Sequence, residues 1–280
     1  MKTTQELQDS LLATLHEEQM RRESYRIAFT DQEFLSRRET RSVRMQLEML
    51  KPDVVLQEHG IHNTIVVFGS ARFKSQAEAN ALLLDAEKNG DAIALAAAKR
   101  IVKNAEYYEA ARTFGKIVAV HNAQKTNGER FYICTGGGPG VMEAANRGAH
   151  EAGCKSVGLA IALPHEEKPN AYITPELCFR FHYFAARKMH FVMRARALAV
   201  FAGGFGTLDE LFEILTLVQT RKSHAVPILL YGSAYWKKVI NFEALVEEGA
   251  ISPEDLKLFH YVDDPHECWN LMRSMMAEYV

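Results

Sequence analysis

The sequence has 280 residues, of which 48% are hydrophobic and 24% are charged, values that are ordinary for a globular protein. A formal net charge of −2 provides no basic footprint, so we expect no nucleic-acid partner. The four cysteines lie far apart and no histidine pair has zinc-ligand spacing, so we expect free thiols and no metal. The polar N-terminus lacks the apolar core of a secretory signal, and no uncharged apolar run approaches the ~18 residues of a membrane span. These features favour a cytoplasmic protein without membrane contact.

Residues 1–56 are predicted to form a helical extension of a main domain that covers residues 57–280. The segment contains no glycine, and apolar positions such as Leu7 and Leu11 recur at helical spacing. Asp31 can cap a second helix. Nine Lys/Arg are balanced by ten Asp/Glu, which disfavours an RNA-binding arm. We expect the extension to pack on the main domain or on a second subunit.

Beyond residue 60, strand-like runs alternate with helical ones. The β-branched run Thr64–Phe68 predicts a buried strand, and the long alanine-rich stretch near 77–113 predicts helix. Two strand–glycine turn–helix units follow, in "FYICTGGGPGVMEAA" and "LAVFAGGFGTLDE". Further strands are predicted in "SVGLAIAL", "CFRFHYF", "VPILLYG" and near Phe259–Val262. The alternation indicates an α/β fold, a Rossmann-like doubly wound parallel sheet with an N-terminal helical extension.

Three turns at predicted strand ends are rich in glycine or small residues: Gly69–Ser70, Gly136–Gly140 and Gly203–Gly206. In doubly wound folds these ends share the edge where ligands bind, so the three turns can share one ligand. None matches G-x-G-x-x-G or G-K-[ST], so neither a dinucleotide dehydrogenase nor a P-loop ATPase is indicated. A glycine turn before a helix still suits phosphate, because unpaired N–H groups face the anion at close range. The alternative is a plain strand-to-helix turn.

The charged residues near these turns each have two interpretations. Thr207 and Glu210 fit a capping box, which periodicity alone favours; the alternative places the Glu210 carboxylate beside a ligand. Glu143 can pair with an arginine one turn along its helix or project into the same crevice. Carboxylates that converge on a sugar suit cleavage of a glycosidic bond. Arg187 and Lys188 suit a phosphate or a leaving group, or else belong to a solvated basic helix face.

Four motifs resemble those of a known family. "GGFGTLDE" resembles the P-G-G-x-G-T-x-x-E signature of the LOG family, the cytokinin-activating phosphoribohydrolases that are also labelled lysine decarboxylase-like. "FGSAR", "GGGPGVMEAANRGA" and "ARKMHF" are similar to its other motifs, in family order across residues 61–235. Ala202 replaces the usual proline, and the N-terminal 60 residues and the stretch near 77–113 exceed the compact plant-type enzymes. Bacterial relatives of this longer kind look more like general purine-nucleotide nucleosidases than enzymes dedicated to the hormone.

The resemblance implies hydrolysis of the N-glycosidic bond of a purine nucleoside 5′-monophosphate, cytokinin nucleotides included, to free base and ribose 5-phosphate. It implies a homodimer or higher homo-oligomer that needs no cofactor. It assigns catalysis to Arg187 and Glu210. Substrate or phosphate binding is expected of Gly69, Ser70, Gly137, Gly138, Gly140, Glu143, Lys188, Gly203, Gly204, Gly206 and Thr207. The decarboxylase label has no support, since no pyridoxal phosphate site can be argued from these residues.

Two other classes of function remain open at the level of sequence. A non-catalytic carrier of a nucleotide or of molybdenum cofactor is one, although a pure carrier does not require the Arg187/Glu210 pair. An interaction protein that works through residues 1–56 is the other. Release of adenine from AMP distinguishes the hydrolase from the carrier, and deletion of residues 1–56 with a measurement of oligomer size tests the interaction protein.

Overall fold

The computed structural model describes residues 4–123, 125–162 and 168–278. Contacts between residues divide the chain into two units, one up to Glu48 and one from Met49 onward. The division falls inside helix α3 (Arg41–Glu58). The domain boundary expected after residue 56 stays a prediction, which truncation of the chain can test.

The unit up to Glu48 is helical, as the sequence predicts. It contains α1 (Thr4–Arg21), α2 (Gln32–Ser36) and the first turns of α3. Asp31 caps α2, because its carboxylate Oδ1 accepts the backbone N–H of Phe34 at 3.0 Å. The prediction of a second helix capped by this aspartate is therefore confirmed.

The unit from Met49 onward is built on a parallel sheet. Within the described residues, the sheet has seven strands in the order β4-β3-β2-β1-β5-β6-β7, and every neighbouring pair is parallel. The strands are β1 (Asn63–Phe68), β2 (Phe131–Thr135), β3 (Ser156–Ile161), β4 (Cys178–Phe181), β5 (Ala195–Val200), β6 (Ile228–Tyr231) and β7 (His260–Val262). Each lies where the sequence predicts a strand, so the predicted Rossmann-like fold is confirmed.

Helices lie between the strands or after the last one along the chain. They are α4 (Gln76–Asn89), α5 (Ala92–Asn122), α6 (Val141–Glu151), α7 (Phe184–Met193), α8 (Phe205–Gln219), α9 (Ser233–Val239), α10 (Phe242–Glu247) and α11 (Pro265–Glu278). The helical stretch predicted near 77–113 is two helices, because Gly90 ends α4 with φ +67° and the Asp91 carboxylate then caps α5. No helix within the described residues has the length and apolar character needed to cross a membrane.

Both faces of the sheet are covered. Along β1, Val66 and Phe68 belong to one hydrophobic core, while Ile65 and Val67 belong to a second core on the opposite face. Successive side chains of a strand point to opposite faces, so a strand with helices on both sides is apolar at every position. This explains why β1 reads as a continuous apolar run rather than an alternating one.

Helices α5 and α6 touch through their backbones. A Cβ placed on Gly148 would lie 1.9 Å from the carbonyl oxygen of Arg112, and one on Gly115 would lie 2.2 Å from that of Ala145. The two glycines therefore allow a separation that no other residue permits. This close packing sets the position of α6, whose first turn carries Glu143.

The three glycine- or small-residue-rich turns lie together at one edge of the sheet, as predicted. Strands β1 and β5 are neighbours at the point where the strand order reverses, which is where doubly wound folds bind ligands. The N–H of Ser70 donates to the carbonyl oxygen of Ala202 at 3.0 Å, and the N–H of Val141 donates to that of Ser70 at 3.0 Å. These bonds link the turns after β1, β2 and β5 directly.

Candidate functional site

The turn after β5 leads into α8 without a side-chain cap. Helix α8 begins at Phe205, its N-cap residue is Gly204, and no side chain bonds to its first N–H groups. Thr207 is therefore the third residue of the helix rather than its cap, and the predicted Thr207–Glu210 capping box is wrong. An uncapped N-terminus leaves N–H groups that an anion can satisfy, with the helix dipole favouring negative charge.

The three glycine positions of this turn differ in the space available for a side chain. A Cβ on Gly203 would lie 2.1 Å from Thr207 Oγ1, so this position excludes a side chain for packing reasons. Gly204 and Gly206 are exposed, a Cβ on either would meet no atom within 4 Å, and neither has a positive φ. The fold does not require glycine at these two positions. Their bare backbone instead leaves room for a ligand at the start of α8.

Glu210 lies one turn further along α8 and is buried. Only 7% of its surface is exposed, and its Oε1 lies 3.9 Å from Nη1 of Arg187. Burial raises the pKa of the Glu210 carboxyl to about 7, even though the charges of Arg187 and Lys188 oppose the rise. A carboxyl that titrates near neutral pH at a ligand-binding edge is typical of catalytic groups.

Arg187, on α7, lies across the ends of β2 and β3. Its Nε donates to the carbonyl oxygen of Leu159 at 2.6 Å, and its Cζ lies 5.2 Å from the ring centroid of Phe191. A Cβ on Gly136 would lie 2.5 Å from its Nη2, so the glycine makes space for the guanidinium. Burial lowers the pKa of Arg187, with the Glu210 charge opposing, yet a guanidinium stays protonated. The structure thus brings the two predicted catalytic residues together.

Lys188 lies on the same helix but faces α8. Its Nζ contacts Asp209 Oδ2 and Glu213 Oε2, both at 2.8 Å, and only 17% of its side chain is exposed. The solvated basic face considered from the sequence is therefore not its environment. Since two carboxylates already compensate its charge, Lys188 has less to offer a phosphate than Arg187.

The glycine turn after β2 is held from several sides. Gly140 has φ +72°, and a Cβ there would lie 2.3 Å from the carbonyl oxygen of Ser70. The carboxamide of Asn170 donates to the carbonyl oxygens of Gly137 and Gly138 at 3.2 and 3.0 Å. The N–H of Gly137, also at positive φ, donates to Thr135 Oγ1 at 3.0 Å. This turn is fixed before any ligand arrives.

Glu143, at the start of α6, binds a partner that the sequence does not suggest. Its Oε1 accepts the hydroxyl of Tyr108 on α5 at 2.8 Å. Arg147, the expected partner one turn along, contacts Glu151 instead, with Nε 2.8 Å from Oε1. The i,i+4 interpretation of Glu143 is therefore wrong, and its half-buried carboxylate is held by another helix.

Comparison with known proteins agrees with these motifs. The family model described as "Possible lysine decarboxylase" matches residues 142–272. A probable cytokinin riboside 5′-monophosphate phosphoribohydrolase of Oryza sativa subsp. japonica is 30% identical over 149 residues, 47% of this chain and 59% of that protein. A cytokinin riboside 5′-monophosphate phosphoribohydrolase of Arabidopsis thaliana is 29% identical over 156 residues, 54% of this chain and 67% of that protein. The resemblance to the LOG family is confirmed. The chain spans only about three fifths to two thirds of the length of these LOG relatives.

Solved structures resemble this chain at lower identity. The molybdenum cofactor binding protein from Rippkaea orientalis is 17% identical with a TM-score of 0.47, over 76% of this chain and 97% of that one. The Moco carrier protein from Chlamydomonas reinhardtii is 19% identical with a TM-score of 0.45, over 77% of this chain and 98% of that one. The cofactor binding named there is a property of those proteins.

Two asparagines at the site are not predicted from the sequence. Asn146 is fully buried on α6, where its Oδ1 accepts from Thr135 Oγ1 at 2.7 Å and from Asn170 Nδ2 at 3.1 Å. Its Nδ2 donates to Ser156 Oγ at 3.0 Å. A buried amide among the alanines of "EAANRGA" is a signal that could have been noticed. Asn170 gives no comparable signal, since it lies in the loop 163–175, of which residues 163–167 are outside the described residues.

Proposed function

We propose that this chain hydrolyses the N-glycosidic bond of a purine nucleoside 5′-monophosphate. Water adds to C1′ of the ribose, the bond to the base nitrogen breaks, and the products are the free base and ribose 5-phosphate. The observation that carries the proposal is the buried Arg187–Glu210 pair beside an uncapped helix N-terminus. The names of the cytokinin-nucleotide relatives support the same bond and the same class of substrate.

The 5′-phosphate would lie at the start of α8. Gly204 and Gly206 leave space there, and the N–H groups of the first turn lack a side-chain cap. The turn itself is anchored, because the hydroxyl of Tyr235 donates to the carbonyl oxygen of Gly203. Phosphate binding at this point would place the ribose toward Glu210, one turn further along the helix.

Glu210 and Arg187 would act on the sugar. Positive charge develops on the ribose ring as the base departs, and an ionised Glu210 would stabilise this charge or orient the attacking water. Arg187 would fix the ribose-phosphate region or assist departure of the base. Glu143, held by Tyr108, would contact the ribose hydroxyls. Each role uses a side chain that the fold already orients.

The test is release of free base from nucleotides. Purified protein is incubated with AMP, GMP, CMP and isopentenyl-AMP, and the free base is separated by chromatography. We expect base release from the purine nucleotides, and the order of rates identifies the preferred base. Glu210→Gln should reduce turnover by at least ~10²-fold, because it removes the negative charge that stabilises the positively charged, oxocarbenium-like transition state.

Glu213→Gln is the matched control. It changes the same functional group on the same helix, one turn later, where the carboxylate contacts Lys188 rather than Arg187. It should retain most of the activity. Full activity of Glu210→Gln would overturn the assignment of this residue. Measurable nucleotide binding without base release from any of the four substrates would favour the carrier.

A further inference from the structure

A cavity lies at the opposite edge of the sheet from the candidate active site. Its volume is about 1080 Å³, and the first residues of three strands, Asn63, Phe131 and Ala195, line it. The six residues of β5 separate this edge from the turn that leads into α8, a distance of roughly 17–20 Å along the strand. The volume is just above the range for small-molecule sites, ~300–1,000 Å³.

The lining of this cavity is strongly basic in a chain whose net charge is −2. Among the described residues it includes four lysine or arginine side chains and three histidines, against one acidic side chain, Glu129. The basic and histidine residues are Lys125, Arg194, Arg196, Arg273, His62, His121 and His224. Such a concentration of one sign in a concave surface attracts small ions of the opposite sign.

Not all of these charges are available to a ligand. Arg194 is committed to the fold, since its Nη1 contacts Asp53 Oδ1 at 2.6 Å and its Nε donates to the carbonyl oxygen of Ile61 at 3.0 Å. The Nε of Arg196 donates to Asn63 Oδ1 at 2.8 Å, an interaction without a counter-charge. Within the part of the chain that the structure describes, Lys125 and Arg273 form no ion pair.

The two cations without an ion pair line the cavity together with His121. His121 lies at the end of α5, with its ring centroid 5.1 Å from that of Trp269. Burial lowers the pKa of His121, and the charges of Arg273 and Lys125 lower it further. Lys125 follows α5 and Arg273 is on α11, so two separate parts of the fold bring positive charge to this cavity.

We propose that this cavity is a second binding site, separate from the candidate active site, for a small phosphorylated anion. Lys125 and Arg273 would bind the phosphate oxygens through charge-assisted hydrogen bonds, with Arg196 beside them. The available volume accommodates more than a single phosphate group. The inference depends on the cavity alone and does not require that the proposed hydrolase activity be correct.

The test uses inorganic pyrophosphate and the full-length chain with the start of α8 blocked. Gly206→Asp places a carboxylate in the space proposed for the substrate phosphate, at a helix N-terminus that tolerates negative charge. In this background, titration calorimetry should show saturable binding of pyrophosphate. Adding Lys125→Gln and Arg273→Gln should weaken that binding by at least ~10-fold, since two charge-assisted hydrogen bonds to the phosphate oxygens are lost.

Lys99→Gln with Arg100→Gln is the matched control. These two residues are exposed on α5 and do not line the cavity, and their replacement changes the net charge by the same amount. Affinity within ~2-fold of the parent is expected for this pair. Equal weakening by both pairs, or no binding to the Gly206→Asp protein, would overturn the proposal. Base release by the unblocked protein tests the hydrolase separately.

Discussion

Glu210 shows how position decides the chemistry of a single residue. The pattern Thr207-x-x-Glu210 is a good capping box, yet α8 starts three residues earlier than this pattern requires. The Glu210 carboxylate therefore does not cap the helix. It is buried beside Arg187, and burial raises its pKa to about 7. A buried, partly protonated carboxyl is costly for the fold, as is usual for groups kept for function.

The raised pKa of Glu210 predicts a stability that depends on pH. In an unfolded chain this carboxyl ionises near pH 4.5, whereas in the folded protein it does so near pH 7. The folded state therefore retains a proton that the unfolded state has lost between these values, and stability falls as pH rises through this window. Glu210→Gln removes this loss and should raise the free energy of unfolding by on the order of 1–3 kcal/mol at pH 8, with no gain at pH 4.

Urea denaturation of the variant and the parent at pH 4 and pH 8 measures this difference, because the contributions of all other groups cancel. The exposed Glu243 provides the matched control, and Glu243→Gln should show no pH-dependent difference. The same pKa predicts that base release rises with pH up to about 7, since the ionised carboxylate is the active form. A gain in stability at pH 4 as large as that at pH 8 would contradict the assigned environment of Glu210.

In helix α8, folding stability and ligand binding favour different residues at the same position. Gly206 is its second residue, has an ordinary φ and has open space around its missing Cβ. Gly206→Ala should therefore stabilise the protein by up to about 1 kcal/mol, because alanine favours helix and restricts the unfolded chain. The same methyl group would occupy the space proposed for the substrate phosphate, so KM for AMP should rise at least ~10-fold.

Gly203→Ala is the contrasting variant, because its Cβ would lie 2.1 Å from Thr207 Oγ1. It should lose about 1–3 kcal/mol from overpacking. Thermal denaturation and initial rates of base release measure both variants. If Gly206→Ala gained stability and kept its KM, the turn would not be the phosphate site.

At the level of elements, the strands could be predicted from the sequence and the interactions between distant segments could not. A strand covered on both faces is apolar throughout, so runs such as Thr64–Phe68 are visible directly. The local pattern predicts the start of α8 wrongly, because the capping box points to Thr207 while the N-cap residue is Gly204, which has no side chain to bond to the first N–H groups. The hydrogen bonds Asn170–Gly138 and Tyr108–Glu143 join residues that are 32 and 35 positions apart in the sequence. A local sequence pattern cannot predict such pairs.

Across the whole molecule, the two edges of one sheet carry different chemistry. The carboxyl edge joins three turns around a buried ion pair, whereas the amino edge presents an open basic cavity. Helix α7 and β5 run between them, since Arg187 lies near the first edge and Arg194 at the second. The unit from Met49 onward therefore contains both candidate sites, and the first test of it as a whole is whether it folds without the residues before it.

Two truncations of the chain distinguish the contact-defined boundary from the boundary expected after residue 56. A chain that starts at Met49 retains Leu56, which is 3% exposed in the core, and Asp53, whose carboxylate contacts the largely buried Arg194. A chain that starts at Gln57 loses both, which should cost more than about 3 kcal/mol through a cavity and an unpaired guanidinium. Thermal denaturation and base release should therefore be close to those of the full chain for the first truncation and strongly reduced for the second. Equal stability of the two would place the boundary after residue 56. Fewer subunits per particle for the chain from Met49, from the molar mass measured by light scattering, would show that residues 1–48 contribute to assembly.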